Sequence, residues 1–418
     1  MSGEPATGAQ ASGGTARTDP VAVPWRAVAL SFAAVLLDGF DTSSLAFVVP
    51  TLAKEWTMTP ASFTFPLVLT NIGVVIGYLC CGSLGARFGR RRLLLGGLLL
   101  FALGTLLTAA LLPVMHSVAA LSVLRLVTGL GLGVVLPVGV SLSADQSPAR
   151  RREMVSVVVT LGLASGGTLG GFVGGPLIRT VGTTGVFWIG GLVPLVLAAL
   201  MARWLPEAPV ATPGATVRTE AAVGRLFIPA LRTNTALLWA FAFLVFVAAY
   251  TLTSWTPTFL SGYGFAPSQA PLGLAFVSLG GVVGGIVLIP LAARLGVTRA
   301  LVLMPALAVV CLVVAANAGL GGLALLLVLA GAGAGVTAGQ IGQLALAVAL
   351  YPIGARTTGI GWAAALGRIG SIVGPAVAGA LLALALSGQH IILLTAIPVA
   401  VAIIAAAALW LRTRRADG

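Results

Sequence analysis

From Arg26 onward the chain alternates long apolar stretches with short polar ones, and neither the period-2 pattern of a strand nor a one-sided helical stripe dominates. A helix that crosses a bilayer needs about 20 apolar residues, and about twelve stretches of that length can be read. They begin near residues 26, 62, 93, 118, 153, 184, 234, 268, 299, 321, 357 and 389. The longest polar interruption, residues 206–233, holds Pro206, Glu207, Pro209, Pro213 and Glu220, and leaves six stretches on either side. The pattern predicts an all-α membrane protein of twelve transmembrane helices in two pseudo-symmetric six-helix bundles. Its parts are a disordered tail (1–25), an N-terminal bundle (26–205), a cytoplasmic linker (206–233), a C-terminal bundle (234–412) and a short tail (413–418).

Internal repetition points the same way. Leu84-Gly85-Ala86-Arg87-Phe88-Gly89 after span 2 recurs as Leu291-Ala292-Ala293-Arg294-Leu295-Gly296 after span 8, and Arg150 to Arg152 after span 4 are echoed by Arg356 after span 10. Tandem halves of this kind mark parallel-repeat transporters, in which a solute binds near the midplane between the halves.

Composition agrees, with 58% hydrophobic and 8% charged residues. That leaves too few charges to cover a water-soluble surface, so the natural solvent is lipid. A net charge of +13 raises the question of nucleic acid, and the placement of the 23 basic residues answers it. With both termini cytoplasmic, all of them fall inside except Lys54 and Arg179 in external loops and Arg125 and Arg368 within spans. This positive-inside alternation predicts a multi-pass protein of the inner cell membrane with no nucleic-acid partner. Residues 1–25, rich in small polar residues, lack the apolar core of a signal peptide. Cys80, Cys81 and Cys311 lie in apolar spans and read as packing residues.

Charge inside the membrane is where chemistry is expected. Of ten acidic residues only Asp38 and Asp41 lie deep in a span, three positions apart on one face of span 1. A charge at the bilayer centre costs roughly 2.5–3.5 kcal/mol on insertion scales, so such groups face a cavity or a partner. Two carboxyls short of water and close together are suited to taking up and releasing a proton, the property a proton-coupled carrier needs; structural ion pairs are the other reading. Arg125 in span 4 and Arg368 in span 11 place one buried cation in each half. They can hold an anionic solute between them or pair with the two aspartates.

Tyr250 and Trp255 in span 7, Gln340 and Gln343 in span 10 and Trp362 in span 11 offer ring walls and polar anchors. Trp255, near a span end, reads as an interfacial residue. Gly162, Gly166, Gly170 and Gly174, with Gly167, Gly171 and Gly175 beside them, form a small-residue stripe on span 5 that lets another helix approach closely. No metal cluster, nucleophile with its base, or phosphate loop is evident, and the reading is not an enzyme and needs no cofactor.

These motifs resemble the major facilitator superfamily, and within it the aromatic acid and proton symporters. The superfamily signature is matched by Gly82-Ser83-Leu84-Gly85-Ala86-Arg87-Phe88-Gly89-Arg90-Arg91. The aromatic acid branch is matched by Asp38-Gly39-Phe40-Asp41, by Arg125 through Thr128-Gly129-Leu130-Gly131-Leu132-Gly133 to Pro137, and by Tyr250-Thr251-Leu252-Thr253-Ser254-Trp255-Thr256-Pro257. It is matched again by Tyr351-Pro352, Arg356-Thr357-Thr358-Gly359-Ile360-Gly361-Trp362, Gly367-Arg368-Ile369-Gly370-Ser371 and Gly374-Pro375. The resemblance implies uptake of benzoate-like or hydroxybenzoate-like carboxylates down the proton gradient by alternating access; a monomer is expected. It implies Asp38 and Asp41 for proton coupling and Arg125 and Arg368 for substrate; the polar and aromatic groups in the spans add Gln340, Tyr250 and Trp362 as substrate residues, and the loop signature offers Arg87, Gly89, Arg90 and Arg91 for gating. Ala86 and Ala293 stand where the loop signature usually carries an acid, which bears on the gating latch. A proton-coupled antiporter exporting drugs or metabolites, or a symporter of another small organic anion, shares the same fold and proton chemistry.

Overall fold

The computed structural model describes residues 23–205, 226–229 and 231–416, and among these every regular element is helical. Among the described residues eleven helices are long and apolar enough to cross a membrane. In chain order they are α1 (Trp25–Glu55), α2 (Thr64–Phe88), α3 (Arg90–Leu111), α4 (Val118–Asp145), α5 (Arg152–Trp204), α6 (Arg232–Leu260), α7 (Pro271–Leu295), α8 (Val297–Asn317), α9 (Gly322–Leu350), α10 (Ile353–Ala383) and α11 (Gly388–Ala416). The 1–25 tail and the 206–233 linker lie mostly outside the described residues.

Helix α5 is the exception in length. Its 53 residues would run about 80 Å at 1.5 Å per residue, against a hydrocarbon core of about 30 Å. Gly182 divides it: φ 72° and ψ 177° lie outside the helical region, a conformation that a Cβ would strain. The two segments, 152–181 and 183–204, correspond to predicted spans 5 and 6, so the eleven helices hold the apolar length of the twelve expected. Thr183, just past the break, donates from Oγ1 to Glu55 Oε2 at 2.9 Å and ties the turn to the end of α1.

The packing repeats. Helix α1 lies against α5 as α6 lies against α10, α2 against α4 as α7 against α9, and α3 against α4 as α8 against α9. The links match down to the backbone: Gly89 between α2 and α3 has φ 84° and ψ 146°, and Gly296 between α7 and α8 has φ 84° and ψ 151°. Their N–H groups donate to Gly85 O and Ala292 O at 3.0 and 2.9 Å. Gly73 and Gly77 bring α2 onto the α4 backbone, and Gly280 and Gly284 do the same for α7 and α9. Contacts between the two sets of helices run through α5 with α7, α2 with α10 and α1 with α6.

The glycine stripe serves two partners. Gly162, Gly166, Gly170 and Gly174 face Phe32, Leu36, Phe40 and Phe47 of α1, whereas Gly167, Gly171 and Gly175 face Ser278, Ala275 and Ser268 on or just before α7. One correction concerns Trp255. It is fully buried and its indole Nε1 donates to Pro375 O at 3.0 Å, so it locks α6 to α10 and is not an interfacial residue. Cys80 is exposed on α2, whereas Cys81 and Cys311 are partly buried.

Candidate functional site

Asp38 and Asp41 leave α1 one turn apart, both buried, and reach different partners. Asp41 turns toward α3 and α4. Its Oδ2 lies 3.3 Å from Arg125 Nη1, and its Oδ1 accepts from Thr105 Oγ1 at 2.8 Å. Arg125 has no exposed surface and sits over the Phe187 ring, with its guanidinium carbon 5.3 Å from the centroid. The Asp41–Arg125–Thr105 group is therefore built from α1, α3, α4 and α5 alone, all preceding the linker.

Asp38 turns the other way. Thr42 Oγ1 donates to Asp38 Oδ1 at 3.2 Å, and the carboxyl is an electrostatic neighbour of Arg368 on α10. Arg368 in turn lies between two tyrosines. Its guanidinium carbon is 4.3 Å from the ring centroid of Tyr78 on α2, and its Nη1 donates to Tyr250 Oη on α6 at 3.1 Å. Phe246 stacks on Tyr250 with centroids 6.0 Å apart. This second group draws on α1 and α2 from before the linker and α6 and α10 from after it, so it lies where the two helix sets meet.

A small cavity opens beside Tyr250, lined by Thr42, Ser43, Leu67, Thr70, Asn71, Tyr250, Thr253 and Ser254. It touches the Asp38 group through Thr42 and the Arg368 group through Tyr250.

Of the expected substrate residues, Arg368 and Tyr250 come together. Arg125 is shut away with Asp41. Gln340 is partly buried on α9 and is not part of the cavity lining. Trp362 lies a turn and a half before Arg368 on α10, where it stacks on Trp239 at 5.5 Å with 41% of its surface exposed. Among the gating residues, Arg90 forms an ion pair with Asp145 at the end of α4, Arg91 donates to Ala202 O at the end of α5, and Arg87 lies over Phe88. Gly89 supplies the positive φ between α2 and α3.

Four partners were not among the expected site residues: Tyr78, Thr105, Thr42 and Asn71. Tyr78 is one of only four tyrosines in the chain and sits mid-span, which is the signal that could have singled it out. Hydroxyls such as Thr105 carry no such mark, because membrane helices use threonine freely.

Among the described residues no group of His, Cys, Asp and Glu could hold a metal ion. Eleven apolar helices among the described residues, enclosing the buried Arg125–Asp41 ion pair, define a multi-pass membrane protein. The chain belongs to the Major Facilitator Superfamily, whose family model matches residues 31–345. It is 31% identical over 410 residues to the 4-hydroxybenzoate transporter PcaK of Pseudomonas aeruginosa, with 90% of each chain covered. It is 33% identical over 364 residues to the 3-(3-hydroxy-phenyl)propionate transporter of Escherichia coli, covering 85% of this chain and 87% of the relative. The crystal structure of the nucleoside transporter NupG superposes with a TM-score of 0.75 at 15% identity, over 92% of this chain and 99% of that one, a likeness of fold.

Proposed function

We propose that the chain is a proton-coupled symporter that takes up small aromatic carboxylates across the inner cell membrane by alternating access, as a monomer with both termini in the cytoplasm. The observation that carries this reading is the Arg368 group: a cation held between Tyr78 and Tyr250, from opposite sides of the linker, with Asp38 as electrostatic neighbour. The likeness to transporters of hydroxylated aromatic acids supplies the substrate class.

The coupling follows from charge balance. With Asp38 ionised, Arg368 already has a counter-charge, and a second anion entering the site meets a carboxylate. When Asp38 takes a proton, the guanidinium is released to hold the solute carboxylate, which it can grip in bidentate fashion. The flanking tyrosine rings and Phe246 supply apolar walls for the solute ring. The loaded site carries one net positive charge fewer than a site holding a free guanidinium. That lowers the cost of burying it while the bundle 26–205 rocks against the bundle 234–412. The α5–α7 and α2–α10 contacts, made close by Gly171, Gly175 and Gly379, form seams that open and shut in that motion. No cofactor enters this scheme; the proton is the coupling ion.

Purified protein in proteoliposomes tests it. Labelled 4-hydroxybenzoate is expected to accumulate only with an inward proton gradient, and Asp38→Asn is expected to lose accumulation while still exchanging internal for external solute. Proton-driven accumulation by Asp38→Asn at the wild-type level sinks the assignment. Accumulation only when the gradient is reversed turns the reading to export.

A further inference from the structure

We propose that Tyr78 is a positioning residue for Arg368: its ring face holds the guanidinium once Asp38 has taken a proton, and leaves the guanidinium N–H groups to the solute carboxylate. The proposal rests on the reading above that an aromatic carboxylate is anchored at Arg368.

The seam between α2 and α10 shows why Arg368 needs such a holder. Thr64, Tyr78 and Gly82 share one face of α2, and Gly379, Arg368 and Gly361 share one face of α10. At one end of the seam Gly379 lies against Thr64 with no room for a Cβ. At the other end Gly82, one turn past Tyr78, and Gly361, two turns before Arg368, are both exposed, and a Cβ on either would meet nothing within 4 Å. The contact of Arg368 with Tyr78 stands between the closed stretch and the open one. A long side chain at that edge has space to swing into, and fixing it costs rotamer freedom.

Three groups hold the guanidinium, and they differ in what they demand of it. Asp38 attracts it only while ionised, so that hold ends with protonation. Tyr250 Oη accepts one N–H at 3.1 Å. The Tyr78 ring lies 4.3 Å from the guanidinium carbon, closer than the other three cation–ring contacts among the described residues, at 5.2 and 5.3 Å. Attraction to a ring face requires no particular N–H, so it survives the protonation of Asp38 and does not compete with a carboxylate gripping the edge of the fork. The ring also comes from α2, on the other side of the linker from Arg368. The helix set that carries Asp38 therefore keeps a grip on the cation in either protonation state.

The test is concentration-dependent uptake of labelled 4-hydroxybenzoate in proteoliposomes by wild type, Tyr78→Phe and Tyr78→Leu, and by variants in which position 78 carries phenylalanine with one, two or three ring fluorines. Fluorine draws electron density from the ring face, and so weakens its hold on a cation, while adding little volume. The KM of Tyr78→Leu is expected to rise about tenfold, as loss of one desolvated cation–ring contact allows. From Tyr78→Phe through the fluorine series KM is expected to climb stepwise, with Vmax little changed. A KM indifferent to fluorine overturns the positioning role and leaves the ring as packing alone. A KM that falls with fluorine overturns it as well, because an electron-poor ring stacks better on the solute ring and holds the cation worse. A falling Vmax at constant KM overturns it in favour of a part in the motion of the seam. All three outcomes leave the carrier reading standing; absence of uptake by the wild-type protein overturns that reading itself. The fluorine series is close to isosteric and decides the matter even where Tyr78→Leu fails to fold.

Discussion

Two carboxylates one turn apart on α1 have opposite fates. Asp41 is held by Arg125 at 3.3 Å and Thr105 at 2.8 Å inside one set of helices, and nothing that moves between the sets touches it. Asp38 has one threonine hydrogen bond, at 3.2 Å, and its cation comes from across the interface. A paired buried charge with a second hydrogen bond is a fixed part of the framework. On the coupling proposed above, a buried charge whose counter-ion can be claimed by an incoming anion is a working part. The comparison teaches that burial alone does not distinguish the two carboxyls; the side of the interface that supplies each partner does.

The sharpest way to break the comparison is to remove the fixed cation. Arg125→Ala leaves Asp41 buried without a counter-charge, and truncating one member of a buried pair costs about 3–5 kcal/mol. The expected outcome is a large drop in melting temperature in detergent, or loss of folded protein, with partial recovery in the double variant Arg125→Ala/Asp41→Asn. A normal melting curve for the single variant would place Asp41 among the movable charges.

Removing the mobile cation acts on binding and not on folding. Arg368→Ala is expected to keep the wild-type elution profile while weakening the apparent affinity for carboxylates by about 10- to 100-fold, the worth of one charge-assisted hydrogen-bonded contact of about 1.5–3 kcal/mol. Arg368→Lys retains the charge but loses the planar fork, and falls between. Concentration-dependent uptake measures both. An unchanged affinity in Arg368→Ala moves the anion site elsewhere.

A neutral tether across α6 and α10 comes next. Trp255→Phe removes the hydrogen bond to Pro375 O and leaves a gap beside it, for about 1–2 kcal/mol of stability. Thermal unfolding followed by near-UV circular dichroism measures it.

How far the sequence carried the reading depends on the kind of signal. Long apolar runs and repeated loops have the length scale of the bilayer and of the repeat, so the helices, the paired links at Gly89 and Gly296, the buried Asp38, Asp41 and Arg125 and the partly buried Arg368 were all legible. Partner choice was not. Asp38 and Asp41 share one face by spacing, and only the packing of α3 and α4 against one and α10 near the other separates them. Trp255 was misread because distance from a helix end says nothing of which neighbour covers it. The break at Gly182 was expected as a loop between spans 5 and 6, and it is a single non-helical residue that separates two helices. The cavity hydroxyls carry no pattern in the chain, because α1, α2 and α6 contribute them at unrelated positions.

The smallest effect is expected where the same charge chemistry meets water. Arg90 and Asp145 form an ion pair between the start of α3 and the end of α4, with side chains 44% and 54% exposed. Water solvates both partners before and after the pair forms, and salt screens what attraction is left, so such pairs contribute about 0–1 kcal/mol. Arg90→Gln is therefore expected to shift the melting temperature by little, and by still less at high salt. Arg125→Ala should instead be insensitive to salt, because its pair is sealed from solvent. Melting both variants across a series of ionic strengths makes the contrast quantitative: convergence of Arg90→Gln with wild type as salt rises, beside a constant deficit for Arg125→Ala, separates the exposed pair from the enclosed one. A salt-independent deficit for Arg90→Gln would mean that the α3–α4 pair is a latch holding the two helix ends, and with Ala86 and Ala293 in place of the usual loop acids it would be the first candidate for the gate.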